Sequence, residues 1–234
     1  MLKKLNSYFT LTEKILWIVS VLGIVVSFIA FASKDYVTLA SSLIGVTSLI
    51  FCAKGNPIGP FLMIVFSLFY GYVSYTFSYY GEVATYVGMT LPMSVISLVS
   101  WLKNPYGSNK SEVKVAKLSV KSIIAMIVLS AVVTAVFYFI LVKFNTANII
   151  PSTISVTTSF VAVFLTYKRS PYYAVAYACN DVILIILWTL AFFEDSSYIS
   201  VVVCFIAFLA NDIYGFVNWK KMHLRQLADS LEDI

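Results

Sequence analysis

Apolar residues in this chain run unbroken for about the thickness of a membrane, stop at a short polar stretch, and start again. Eight such runs stand at roughly 15–32, 38–53, 58–77, 83–102, 122–142, 150–167, 172–192 and 197–218. A helix needs about 20 mostly apolar residues to cross the hydrocarbon core. The second run is short and the others are close to that length. Lipid offers backbone amides and carbonyls no partners, so each run is expected to be a helix that satisfies its own hydrogen bonds. The pattern predicts an all-α polytopic membrane protein with eight transmembrane helices. The first run has a basic start and an Ala-x-Ala pattern at Ala30–Ala32, as a secretory signal would. Its apolar stretch exceeds the ~7–15 residues of a signal core, so a retained helix is expected.

Composition agrees. Hydrophobic residues make up 60% of the chain and charged residues 12%, about half the charged share of a soluble domain. The net charge of +5 does not point to nucleic acid, because the cations sit between and beside the apolar runs. With eight spans, one side of the membrane collects Lys3, Lys4, Lys14, Lys54, Lys103, Lys110, Lys114, Lys117, Lys121, Lys168, Arg169, Lys220, Lys221 and Arg225. Those are 14 of the 16 Lys and Arg residues, and the other side keeps Lys34 and Lys143. Such a split predicts cytoplasmic N- and C-termini in the cell membrane.

The chain also repeats itself. Lys54-Gly55-Asn56-Pro57 joins the second and third runs, and Lys168-Arg169-Ser170-Pro171 joins the sixth and seventh. Trp101 and Trp219 close the fourth and eighth runs in similar surroundings. These landmarks divide the chain into a segment with an extra helix (1–37), a three-helix repeat (38–103), a loop with a linker helix (104–149), a second repeat (150–221) and a tail (222–234). Three helices plus one linker make an even number of crossings. The two triplets of this 3+1+3 core should therefore be parallel, related by an axis along the membrane normal, as in some secondary transporters.

Candidate chemistry lies at membrane depth. Asp181 and Asp212 sit deep within the seventh and eighth runs, where a charged side chain costs at least ~2.5–3.5 kcal/mol and normally faces a cavity or a partner. Tyr173, Tyr177 and Asn180 share a helical face, as do Asp181 and Trp188, and Asn211 pairs with Tyr214 three residues on. Amides, phenols and an indole together suit a flat aromatic base and a ribose. In the first triplet Phe66 aligns with Asn180, and Tyr70, Tyr86 and Ser94 are the weaker counterparts. Cys52, Cys179 and Cys204 lie in apolar runs with no metal spacing, and His223 is the single histidine. No cofactor or metal is expected. The spans carry no Gly-x-Ser-x-Gly or His-Glu-x-x-His motif for an enzyme, and no loop is long enough for a signalling domain. An ion-coupled transporter stays open because of the two aspartates.

The residues also carry a resemblance. Tyr80-Gly81-Glu82-Val83, Leu91-Pro92-Met93 and Asn211-Asp212-Ile213-Tyr214-Gly215-Phe216-Val217-Asn218-Trp219-Lys220-Lys221 resemble the Pnu-type vitamin transporters, whose best-known members are PnuC-like nicotinamide riboside transporters. The resemblance runs from about residue 38 to 221. It implies a 3+1+3 core and facilitated uptake of a nucleoside-like vitamin. It also implies trapping of that vitamin by a cytoplasmic kinase. Asn211 and Tyr214 match the family's Asn-x-x-Tyr element, and Asn180 and Trp188 match positions in its penultimate core helix. Tyr173 and Ala176 stand where nicotinamide riboside members often carry Trp-x-x-Trp, and Ser94 stands where a Gln often follows Pro-Met. These departures leave nicotinamide riboside, thiamine, riboflavin and other nucleosides open. Oligomeric state is also open, a homo-oligomer included.

Overall fold

The computed structural model describes residues 8–31, 35–76, 79–107, 111–146 and 148–232. Lys3, Lys4, Lys34 and Lys110 of the charge count lie outside the described residues. Eight helices long and apolar enough to cross a membrane account for most of the described chain. They are α1 (Leu11–Phe31), α2 (Tyr36–Ala53), α3 (Ile58–Thr76), α4 (Tyr80–Lys103), α5 (Val120–Lys143), α6 (Ile149–Tyr167), α7 (Tyr173–Phe192) and α8 (Ile199–Glu232). Each expected run is matched. The last helix differs in extent, because 222–232 continues α8 as helix and does not leave it as a separate tail.

Local chemistry sets the breaks. After α2, Gly55 takes a left-handed φ of 64°, and after α6, Arg169 takes one of 56°. Asn56 N–H returns to the Phe51 carbonyl at 3.0 Å, and Ser170 N–H returns to the Leu165 carbonyl at 3.0 Å. Pro57 and Pro171 lack the N–H a continuing helix would use. The two junctions are thus built alike. Helix α4 is interrupted at Tyr86–Thr90 by a single wide π-turn, in which the Leu91 N–H bonds the Tyr86 carbonyl five residues back. The cause is Pro92: its ring crowds the carbonyl four residues earlier, and the widened turn relieves the clash.

The ends of the helices fix the packing. Trp101 at the end of α4 donates its indole N–H to the Thr166 carbonyl of α6 at 2.9 Å, and Trp219 on α8 donates to the Cys52 carbonyl of α2 at 2.8 Å. Ser100 hydroxyl donates to the Tyr167 carbonyl at 3.0 Å, and Asn218 amide donates to the Ala53 carbonyl at 2.8 Å. The two indoles meet with centroids 5.4 Å apart.

The segment between α4 and α5 crosses this same end of the molecule. Val113 N–H bonds the Gly55 carbonyl at 2.9 Å and Ala116 N–H bonds the Arg169 carbonyl at 3.0 Å. Gln226, on the extension of α8, holds the segment by accepting from Val115 N–H at 2.8 Å and donating to the Val113 carbonyl at 3.1 Å. Arg225 pairs with Glu112, which holds the guanidinium pKa above its ordinary value. Basic Lys54, Lys114, Lys168 and Lys220 therefore gather at one end.

Helix α5 stands apart. Only Ser130 and Leu141 of it are buried, and side chains such as Ile127 and Phe139 point outward, where lipid is their natural solvent. Helix α1 packs against α2 and α8.

Candidate substrate-binding site

The centre of the helix bundle holds two small adjoining cavities. The larger has a free volume of about 20 Å³ and is lined by Leu49, Met63, Phe66, Tyr86, Thr90, Ser159, Tyr177, Asn180, Asp181, Phe205, Phe208 and Asp212. The smaller, about 10 Å³, lies toward the tryptophan end and is lined in part by Ser94, Ser97, Thr166, Tyr173 and Tyr177. A water needs roughly 10–15 Å³, so the larger space has room for one water and none for a vitamin. This is a closed state.

Two aromatic layers close it. Toward the basic end, Trp101, Trp219 and Tyr173 pack together, with the Tyr173 and Trp219 rings 4.9 Å apart. Toward the opposite end, Trp188 donates its indole N–H to the Tyr70 hydroxyl at 2.9 Å and packs on Tyr79 at 4.8 Å. Residues 173 to 188 of α7 rise about 22 Å at 1.5 Å per residue. Tyr177, Asn180 and Asp181 therefore lie at mid-depth, between the two layers.

The polar groups on the cavity wall are individually positioned. Asn180 is 3% exposed. Its side-chain carbonyl accepts from Thr158, Ser159 and Ser155 of α6 at 2.8, 3.0 and 3.4 Å. Those hydroxyls use up the carbonyl and leave the amide NH₂ for the cavity. The carboxyl groups of Asp181 and Asp212 lie within hydrogen-bonding reach of each other. Asp181 Oδ2 and Thr90 Oγ1 are buried without a hydrogen-bond partner. Such groups cost about 1–3 kcal/mol each when unsatisfied, which is tolerated where a ligand or water completes them.

The structure sorts the ten expected site residues. Phe66, Tyr177, Asn180 and Asp181 line the larger cavity, and Tyr173, Tyr177 and Ser94 line the smaller one. Tyr70 and Trp188 bond to each other in the layer beyond. Asn211 and Tyr214 are not brought to either cavity. Asn211 donates to the Ser20 hydroxyl at 3.0 Å, and Tyr214 hydroxyl donates to Glu13 at 3.0 Å. Both partners belong to α1, which covers that face of α8. Phe205, Phe208, Thr90 and Ser159 line the cavity without having been singled out. Counting back from Asp212 by 4 and 7 reaches Phe208 and Phe205, so helical spacing carried a signal for those two. Thr90 and Ser159 carried none in a chain rich in hydroxyl residues.

A wider groove of about 630 Å³ between α5 and α6 faces outward. Its Thr134 and Thr157 hydroxyls bond each other at 2.7 Å, so it presents little free polarity.

Comparison with known proteins gives this arrangement a setting. A family model described as "Nicotinamide mononucleotide transporter" matches residues 35–221. The nicotinamide riboside transporter PnuC of Neisseria mucosa is 24% identical over 210 residues, covering 88% of this chain and 80% of its own. The nicotinamide riboside transporter PnuC of Haemophilus influenzae is 23% identical over 189 residues, covering 80% of each. The crystal structure of the vitamin B3 transporter PnuC superposes with a TM-score of 0.81 at 23% identity, over 93% of this chain and 94% of that one. At that identity the structural likeness speaks for the fold. The family match runs from the start of α2 to the Trp219 end of α8, across both junctions and every residue that lines the cavities, and this chain belongs to the nicotinamide mononucleotide transporter family of membrane transporters.

Proposed function

We propose that this chain carries out facilitated uptake of a nucleoside-like vitamin without a phosphate, nicotinamide riboside, and that a cytoplasmic kinase then traps it as a phosphate ester. One observation carries the choice of riboside over mononucleotide. The mid-depth cavity is walled by aromatic rings, an amide and two aspartates, with no Lys, Arg or His among its lining residues. A phosphate dianion would meet two carboxyl groups and no counter-charge. A flat base finds ring faces, and ribose hydroxyls find Asn180 and Thr90.

The transport reading also rests on two parallel triplets rocking about a central site. Support comes from the reciprocal bonds. Thr166 stands to Cys52 as Arg169 stands to Gly55, and the tryptophan of each triplet binds the other. Both termini are cytoplasmic in this reading, which rests on the charge count.

Calorimetry on the purified protein tests the substrate. Nicotinamide riboside should bind, and nicotinamide mononucleotide should bind at least tenfold more weakly. Tight binding of the mononucleotide, or of thiamine or riboflavin in preference to both, would replace the assignment. Asn180→Ala should weaken riboside binding by about 5- to 150-fold, the value of one amide hydrogen bond.

A further inference from the structure

Asp181 and Asp212 are 2% and 3% exposed. They come from different helices and meet at the cavity wall. Their surroundings are neutral on every side. Tyr173 and Tyr177 of α7, Tyr86 of α4, Cys204 of α8 and Cys52 of α2 are the titratable groups that face them. Helix α3 contributes Met63 and Phe66, and α6 contributes Ser159. None of these is a cation. Two carboxylates in contact, away from water and without a counter-ion, repel too strongly to be ionised together, and such pairs share a proton. A carboxylic acid donating to a carboxylate is also a strong, charge-assisted hydrogen bond.

One further group points to a ligand. Thr90 of α4, 3% exposed, lines the same cavity, and its hydroxyl has no hydrogen-bond partner. Around the cavity stand the rings of Phe66, Tyr86, Phe205 and Phe208, whose faces attract positive charge.

We infer that Asp181 and Asp212 together hold one proton and one negative charge, and that this pair is the counter-ion for a substrate with a single positive charge on an aromatic nitrogen ring. The loaded site is then neutral. No proton need enter or leave when the cation binds, so charge balances without an ion gradient. The inference rests on the reading of the central cavity as the substrate site.

The test compares nicotinamide riboside, whose ring is a cation, with its dihydro form, which has almost the same shape and no charge. The full-length protein in detergent should prefer the cation by about tenfold or more, the value of one hydrogen bond to a charged group. Asp181→Asn and Asp212→Asn should each lower affinity less than tenfold yet keep that preference. In each, the amide stands in for the protonated partner and the remaining aspartate carries the charge. The double variant should bind both forms equally. A preference that survives in the double variant, or that disappears in either single one, overturns the inference.

Infrared spectroscopy of the ligand-free protein reads the shared proton directly. The background is Glu82→Gln, which removes the other buried acid nearby. A protonated-carboxyl stretch should be present at neutral pH and vanish in each single Asp→Asn variant. Its absence before substitution also overturns the inference. A protein that binds neither nicotinamide form rejects the nicotinamide reading alone. The infrared result then decides the shared proton, and methylpyridinium against pyridine decides the preference for charge.

Discussion

Asn211 and Asp212 are neighbours in sequence and serve opposite surfaces. About 100° of helical rotation separates them, so one faces α1 and the other the cavity. Sequence spacing made both Asn211 and Tyr214 plausible site residues, and family resemblance reinforced them. Their partners in the structure are Ser20 and Glu13 of the extra helix, and no periodicity in α8 says which of its faces an added helix will cover. Glu13 itself is 1% exposed. It takes Lys54 Nζ at 3.2 Å on both oxygens as well as the Tyr214 hydroxyl. Removing one partner of a buried pair strands the other. Glu13→Ala should therefore cost up to about 3 kcal/mol, read as a lower unfolding temperature in detergent. An unchanged melting temperature would mean that α1 docks by apolar contact alone. Tyr214→Phe removes a single hydrogen bond and should cost about 1 kcal/mol, with riboside affinity retained. A large loss of affinity would return Tyr214 to the substrate.

At the level of elements, the eight helices were legible because lipid imposes length and self-sufficiency on each one. The wide turn at Tyr86–Thr90 was not, although Pro92 announces some distortion. A proline predicts that a helix must yield, but not whether it kinks, breaks or widens. Helix pairing was also silent in the hydropathy, because both sides of every span are apolar. It is written in small residues. A Cβ on Gly45 of α2 would lie 2.3 Å from the Phe208 ring and 3.0 Å from Phe66, both of which line the cavity. Gly45→Ala should cost about 1–3 kcal/mol through overpacking and weaken ligand binding by displacing those rings. Retained affinity would show that the rings can move aside. On α3, Gly71 lets Val87 of the wide turn approach, since a Cβ there would stand 2.5 Å from its methyl. The indole bonds of Trp101 and Trp219 give a matched pair of substitutions. Trp101→Phe and Trp219→Phe each remove one indole hydrogen bond, at about 0.5–1.5 kcal/mol, from a carbonyl that keeps its turn bond to Arg169 N–H or Gly55 N–H. Parallel triplets require losses of similar size from thermal unfolding, and a cost confined to one of them would argue against equivalent repeats.

For the whole molecule, the charge count and the geometry agree on which segments share a side. Residues near Lys54, Lys114, Lys168 and Lys220 are tied together by hydrogen bonds, and Lys143 lies at the far end of α5. Orientation in the cell follows from labelling. In a cysteine-free background, Lys143→Cys should react with an impermeant reagent added outside, and Lys117→Cys should react only after permeabilisation. The reverse pattern would invert the topology. The segment that crosses from Gly55 to Arg169 was invisible in the sequence, because its bonds to those two residues are backbone to backbone and any residue can make them. Its position has a mechanical consequence. Two rods lashed together at one tip open like tongs, with little travel at the lashing and the most at the free ends. A span of 19 residues is about 28 Å long, so a swing of 10° about the lashed tip moves its other tip by about 5 Å. That is enough to part Trp188 from Tyr70, while Trp101 and Trp219 scarcely move. The two doors of this carrier are then unequal: one swings on its hinge, and the other opens only when Val113 and Ala116 let go.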